Sequence, residues 1–159
     1  MPTNRVVAQQ KLSKEQIAQK QLVGTWTLIE APEIRPDGSR GQTFGPNPKG
    51  LLIIDESGQY SLQIFQADRP RFVSGDKRRG TDKEYQAAVL GMSSHFGHCL
   101  LDEAHGVIIF RIEQASFPNW DGTEQKRQYQ LSGDVLTYQV PAAASGNGII
   151  TISSWRRVR

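Results

Sequence analysis

The sequence predicts an all-β domain: an antiparallel up-and-down barrel of eight or more strands, with one short N-terminal helix and one covering helix near residues 81–93. Three observations carry that expectation. Apolar and polar residues alternate with a period of two in short runs, separated by turns rich in Gly, Asn, Asp and Ser. Two stretches open with a capping box, Ser13-Lys14-Glu15-Gln16 and Thr81-Asp82-Lys83-Glu84, so helices are few. Strand-like runs stand at both ends of the domain, Leu22–Glu30 and Ile149–Val158, and closing the sheet on itself removes their exposed edges.

Taken in order, residues 1–21 form an N-terminal arm whose short helix leans on the barrel through Leu12 and Ile17, and residues 22–159 form the barrel domain. In the first strand Leu22, Trp26 and Leu28 share one face, with Gly24 leaving a gap in which the Trp26 indole can cross neighbouring backbone. Ala31–Gly50, rich in Pro and Gly, reads as one long loop at the open mouth. Leu51–Asp55 and Gln59–Phe65 form a hairpin, and Arg71-Phe72-Val73 is a candidate short strand. The helix after Thr81 presents Tyr85, Ala88, Val89 and Met92 at i, i+3, i+4 and i+7, a stripe expected to face inward with Tyr85, Val89 and Met92 as its contacts. A meander follows: 95–102, 106–116, 124–131, 135–140 and 149–158.

Composition limits the functional classes. The chain has 159 residues, a hydrophobic fraction of 37% and a net charge of +3, values expected of one globular domain. No run approaches the ~20 apolar residues of a membrane helix, and the N-terminus lacks an apolar core of signal-peptide length. Cys99 is the single cysteine, which excludes an internal disulfide and favours a cytoplasmic location. The basic clusters at Arg69–Arg79 and Arg156–Arg159 are not interleaved with aromatics, which argues against nucleic acid as a partner.

Three stretches resemble the small bacterial and fungal lipocalin-like domain family: Leu22-Val23-Gly24-Thr25-Trp26, Phe117-Pro118-Asn119-Trp120 through Arg127, and Leu131-Ser132-Gly133-Asp134-Val135-Leu136. The resemblance spans roughly residues 20–158 and implies a barrel of eight or more strands with a central cavity. It also implies that a last-strand arginine lies over the first-strand Trp26: Arg157 by parity with Trp155, otherwise Arg156. Gly24, Trp26 and Arg157 are therefore the structural set. The Thr-Asp-Tyr motif of secreted lipocalins is missing, so their extracellular carrier role does not transfer. Related barrels in natural-product pathways act as cyclases or isomerases.

The residues suggest how such a cavity is lined. In 124–131, Lys126, Gln128 and Gln130 supply a wet face, which turns Gln125, Arg127, Tyr129 and Leu131 inward. The alternative is that Arg127 pairs with an acid such as Glu113 on the outer wall. Tyr60, Leu62, Phe110 and Tyr138 fall at interior parity, and Asn119 and Trp120 frame the mouth. His95 joins the candidate ligand-binding set, although the parity of 95–101 leaves its face open. The histidines His95 and His98 point to opposite sides of a strand, and His95 and Cys99 lie about 13 Å apart at ~3.3 Å per residue. No metal site and no cofactor is therefore expected. No residue stands out as catalytic, and Cys99 reads as a buried structural thiol. The first functional expectation is binding of a small, largely apolar organic molecule with a polar or anionic group. A cyclase or isomerase using the same cavity, and a filled barrel serving as a structural or interaction module, are the alternatives. Oligomeric state is left open.

Overall fold

In the computed structural model, residues 11–159 are described; the first ten residues of the expected arm lie outside the described residues. Strand β1 (Gly24–Glu30) is followed by β2 (Pro32–Ile34), β3 (Arg40–Gln42), β4 (Lys49–Ile54), β5 (Gln59–Phe65) and β6 (Met92–Asp102). Then come β7 (Val107–Ala115), β8 (Glu124–Ser132), β9 (Val135–Val140) and β10 (Ile150–Arg157). Helix α1 (Lys14–Lys20) precedes β1 and α2 (Asp82–Leu90) precedes β6. The sheet runs β1-β4-β5-β6-β7-β8-β9-β10, and β1 pairs with β10 to close an eight-stranded antiparallel barrel.

Alternation decides what fills it. On β5, Tyr60, Leu62 and Ile64 are buried between the exposed Gln59, Ser61 and Gln63. On β8 the inward residues Gln125 and Arg127 are buried while Lys126 and Gln128 are exposed. The face left open on β6 is now fixed: His95, Gly97, Cys99 and Leu101 are inside. The register with β7 shifts between Phe96 and Gly97, where Glu113 of β7 is the extra residue, and a Cβ at Gly97 would lie 2.1 Å from the Arg111 carbonyl oxygen.

One end of the barrel is closed. Trp26 is fully buried, its indole N–H donates to the Leu22 carbonyl at 3.0 Å, and the Arg157 guanidinium lies 4.1 Å over its ring. Gly24 has φ 142°, and a Cβ there would meet Arg157 Nη1 at 3.0 Å, so the arginine's route over the indole crosses this glycine. Helix α1 docks differently from the sequence expectation. Leu12 and Ile17 are exposed; Ala18 is buried, and the Gln19 amide bonds the β6 backbone, donating to Cys99 O at 3.2 Å and accepting from Leu101 N at 2.8 Å.

Three further expectations are corrected. The Ala31–Gly50 stretch contains the β2–β3 hairpin, turned by Pro36-Asp37-Gly38 with Asp37 Oδ1 accepting from Ser39 N at 2.8 Å. Strand β2 continues along β10 where β1 leaves it, pairing Glu33 with Thr151. Arg71-Phe72-Val73 is not a strand. Helix α2 does not bury its apolar stripe: Tyr85 and Val89 are exposed, and Met92 already belongs to β6. Its buried residue is Glu84, whose carboxylate accepts from Thr81 N at 2.7 Å and Val73 N at 2.8 Å, tying the helix start to the loop before it. Among the described residues, no helix is long and apolar enough to cross a membrane.

Candidate functional site

Opposite the closed end, a pocket of about 330 Å3 opens into the barrel between α2, the Phe117–Trp120 turn and the β2–β3 hairpin. Its deep wall is Arg127, His95, Tyr138 and Leu62. Arg127 is 1% exposed, and no carboxylate lies within ion-pair distance of it among the described residues. The Glu113 alternative fails because Glu113 is on the exposed face of β7. What holds the guanidinium is Gln125, whose Oε1 accepts from Nε at 3.2 Å and from Nη2 at 2.8 Å, together with a surround of aromatic rings. Phe110 lies 4.5 Å, Tyr138 5.4 Å and Trp120 5.6 Å from the guanidinium carbon. Burial works against this charge and the Tyr138 and Tyr60 hydroxyls work for it; an arginine nonetheless stays protonated. Among the described residues its remaining N–H groups have no protein acceptor.

His95 is buried beside it, and its pKa is held well below the ordinary 6.5, first by burial and then by Arg127. The ring is therefore neutral. Its Nδ1 lies 2.8 Å from the Tyr60 hydroxyl. Burial raises the Tyr60 pKa, so that hydroxyl keeps its proton, and His95 is its partner. We assign the proton accordingly: Tyr60 donates to Nδ1, and the imidazole carries its own hydrogen on Nε2. Tyr138 stands against Arg127 and Trp155, both donors only, and completes a hydrogen bond with neither; its ionisation is opposed chiefly by burial.

The outer wall mixes apolar groups with one polar cluster. Val89, Leu90, Phe117 and Ile149 give an apolar rim. Glu33, 8% exposed, bonds the Thr43 hydroxyl through Oε2 at 2.8 Å and pairs with Arg35 through Oε1 at 2.9 Å. Thr43 in turn contacts the Thr151 hydroxyl at 3.2 Å. Trp120 is fixed as part of the wall, its indole N–H donating to Ala144 O at 2.7 Å and its ring edge-on to His95 at 5.7 Å.

The pocket thus brings together five of the expected lining residues: Leu62, His95, Trp120, Arg127 and Tyr138. Tyr60 and Phe110 sit behind it, packed edge-to-face at 5.0 Å and supporting His95 and Arg127. Two expectations do not hold. Asn119 is exposed on its turn, outside the pocket. Tyr129 lies towards the closed end, half-buried, with its backbone N–H on Gly106 O at 3.2 Å. Glu33, Thr43 and Thr151 were not expected at all; Pro36-Asp37-Gly38 between Glu33-Ile34-Arg35 and Ser39-Arg40 was the available hairpin signal. His98 and His105 stay outside, on Ser57 O at 2.7 Å and on Asp102 at 2.8 Å, so the histidine-rich hairpin does not converge. The Cys99 thiol is buried and its pKa pushed up to about 12, which removes the thiolate a nucleophile needs. A wider depression on the outer wall beside Gly97 is crossed by the Arg111–Glu124 pair at 3.0 Å and holds no buried polar group seeking a partner.

Comparison with known proteins agrees with this architecture. A curated relative from Aspergillus oryzae (strain ATCC 42149 / RIB 40), 26% identical over 106 residues, covers 62% of this chain and 96% of its own length. It is named the 4'-hydroxy-3'-methoxypropiophenone carrier protein. The family profile described as "Lipocalin-like domain" matches residues 23–158, the whole barrel from β1 to the end of β10. The chain belongs to the lipocalin-like domain family.

Proposed function

We propose that the barrel binds one small, largely apolar organic molecule and that Arg127 receives its carbonyl or anionic group. The observation that carries this reading is the fully buried guanidinium facing a pocket with, among the described residues, no acid beside it. Taking such a charge out of water costs several kcal/mol unless its hydrogens find acceptors. A ligand oxygen would supply them. The pocket volume is at the lower end of the ~300–1,000 Å3 of small-molecule sites, which suits a single-ring compound. The A. oryzae relative, named for an aryl ketone, makes that class the first to try.

Carriage fits better than catalysis. With its proton on Nε2, His95 donates to the pocket and cannot act there as a base. Among the described residues the one pocket carboxylate, Glu33, sits at the mouth and is engaged by Arg35 and Thr43. The test is a titration of the protein with propiophenone, followed by Trp120 fluorescence and by native mass spectrometry, with recovery of the compound after overnight incubation. Saturable one-to-one binding and unchanged propiophenone support the reading. Failure to bind at about 1 mM, a free energy of ~4 kcal/mol, would overturn it for aryl ketones.

A further inference from the structure

The pocket's hydrogens can be counted, and the count divides it into two poles of opposite character. At the deep end every free group can donate. Arg127 has N–H groups beyond the pair taken by Gln125. His95, with Tyr60 donating to Nδ1, offers Nε2–H. Among the described residues the Tyr138 hydroxyl in the pocket wall, and the Trp155 indole N–H behind it, are buried without partners. Tyr138 can turn its oxygen to Trp155 or Arg127, both of which only donate, so its own proton still lacks an acceptor.

On the β2–β10 side of the mouth the buried Glu33 and the half-buried Thr43 and Thr151 accept. Thr43 has one hydroxyl hydrogen, and the Glu33 carboxylate takes it. The contact between Thr43 and Thr151 must then be a bond donated by Thr151. Both hydroxyl protons are thereby committed, and what Thr151 and Glu33 still present is lone pairs. Arg35 holds the other carboxylate oxygen from the exposed side. Asn147, on the exposed rim, turns its carbonyl oxygen back onto Ser145 and Ile149 N. Ser153, between Thr151 and Trp155 on β10, can serve either way.

The poles lie within reach of one ligand. Arg127 lies two residues before Tyr129 on β8, Tyr129 pairs with Tyr138, and Val140 lies two residues beyond Tyr138 on β9; Val140 pairs with Thr151, and Thr151 with Glu33. Three strand spacings of ~4.8 Å make about 14 Å along the curved wall, and both side chains line the same pocket. We infer that the pocket, taken as the binding site proposed above, selects and orients a polar-ended ligand: a carbonyl, carboxylate or phenolate oxygen inside on Arg127, and a hydroxyl or ammonium hydrogen at the mouth on Thr151 and Glu33. An apolar body between them would lie against Leu62, Ile64 and Val140.

Three probes test this: 4'-hydroxypropiophenone, its methyl ether 4'-methoxypropiophenone, and unsubstituted propiophenone, each titrated by calorimetry. The hydroxy compound should bind at least about fivefold more tightly than either of the others, the scale of one hydrogen bond. That preference should fall to within about twofold in the double variant Thr151→Val, Glu33→Gln. Arg127→Leu should weaken all three while leaving the preference standing. Equal affinities of the three for the wild type would overturn the acceptor pole and leave the binding reading intact. A weak methyl ether beside a propiophenone as tight as the phenol would reduce the effect to size, and also overturns it. If none of the three binds, the functional reading itself falls and this one with it.

Discussion

Towards the two ends of one barrel, an arginine lies against a tryptophan, and the two pairs differ in everything else. At the closed end Arg157 lies 4.1 Å over Trp26, donates to the carbonyls of Gln21 and Val23, and approaches Asp134 at 3.6 Å. In the pocket Arg127 lies 5.6 Å from Trp120, donates to one amide oxygen, and meets no acid among the described residues. Arg157 is a quarter exposed and fully engaged; Arg127 is buried and under-engaged. A satisfied cation stabilises a fold, whereas a buried cation with idle hydrogens costs stability that a ligand can return. The comparison separates a closure device from the proposed binding site, built of the same residue types.

The largest effect should fall on the closure. Trp26→Ala is expected to cost roughly 3–5 kcal/mol as a buried aromatic truncation, read by urea unfolding. Arg157→Leu, which removes the cation–π contact and uncaps two carbonyls, should cost about 1–3 kcal/mol and leave propiophenone affinity unchanged. A loss of affinity there would blur the division between the two ends.

Acid should probe the pocket side. Burial and then Arg127 keep the His95 pKa well below 6.5, so the unfolded chain takes up a proton that the folded chain refuses. Stability therefore falls as pH drops below about 6.5, by up to ~1.4 kcal/mol per unit, and is recovered as pH rises. His95→Phe should flatten the unfolding free energy between about pH 6.5 and 5; an unaltered slope would place the proton uptake elsewhere. The smallest effect is expected at Val89→Asp. Val89 is 60% exposed, so the change should stay within about 0.5 kcal/mol in stability, while its place on the pocket rim should slow entry of an anionic probe in stopped-flow mixing.

That last expectation reverses what the helical stripe suggests, and the reason is physical. Tyr85 and Val89 have core spacing, but the helix is held by the Glu84 carboxylate, which satisfies both its own cap and the Val73 amide. A capping box announces the first bond; nothing in the sequence announces the second. By contrast, β8 was legible from its alternation, because Lys126, Gln128 and Gln130 supply a wet face that turns Arg127 inward, although an outer-wall pair with Glu113 stayed open in the sequence. The barrel's closure was legible through the resemblance carried by Gly24-Thr25-Trp26, which implied a last-strand arginine over Trp26 but left Arg157 and Arg156 as alternatives; the structure places Arg157 there. The face of β6 was not, since His95 and Cys99 alternate with Phe96 and His98, and only the packed barrel distinguishes them. The mouth was least legible. Glu33 and Thr151 come together through the pairing of β2 with β10, more than a hundred residues apart in the chain, and Asn119 is carried outward by a turn whose indole points in.

The central claim, that Arg127 is kept for a ligand and at some cost to the fold, is tested most directly by measuring stability and propiophenone affinity together in Arg127→Leu. The account predicts an unfolding free energy equal to or above that of the wild type, within about 1 kcal/mol if lower, because an unpaired buried charge gives way to apolar contact. It predicts at the same time an affinity weakened by about 1.5–3 kcal/mol, the scale of a charge-assisted hydrogen bond. A variant destabilised by about 3 kcal/mol or more whose folded fraction binds propiophenone as tightly as the wild type would contradict it.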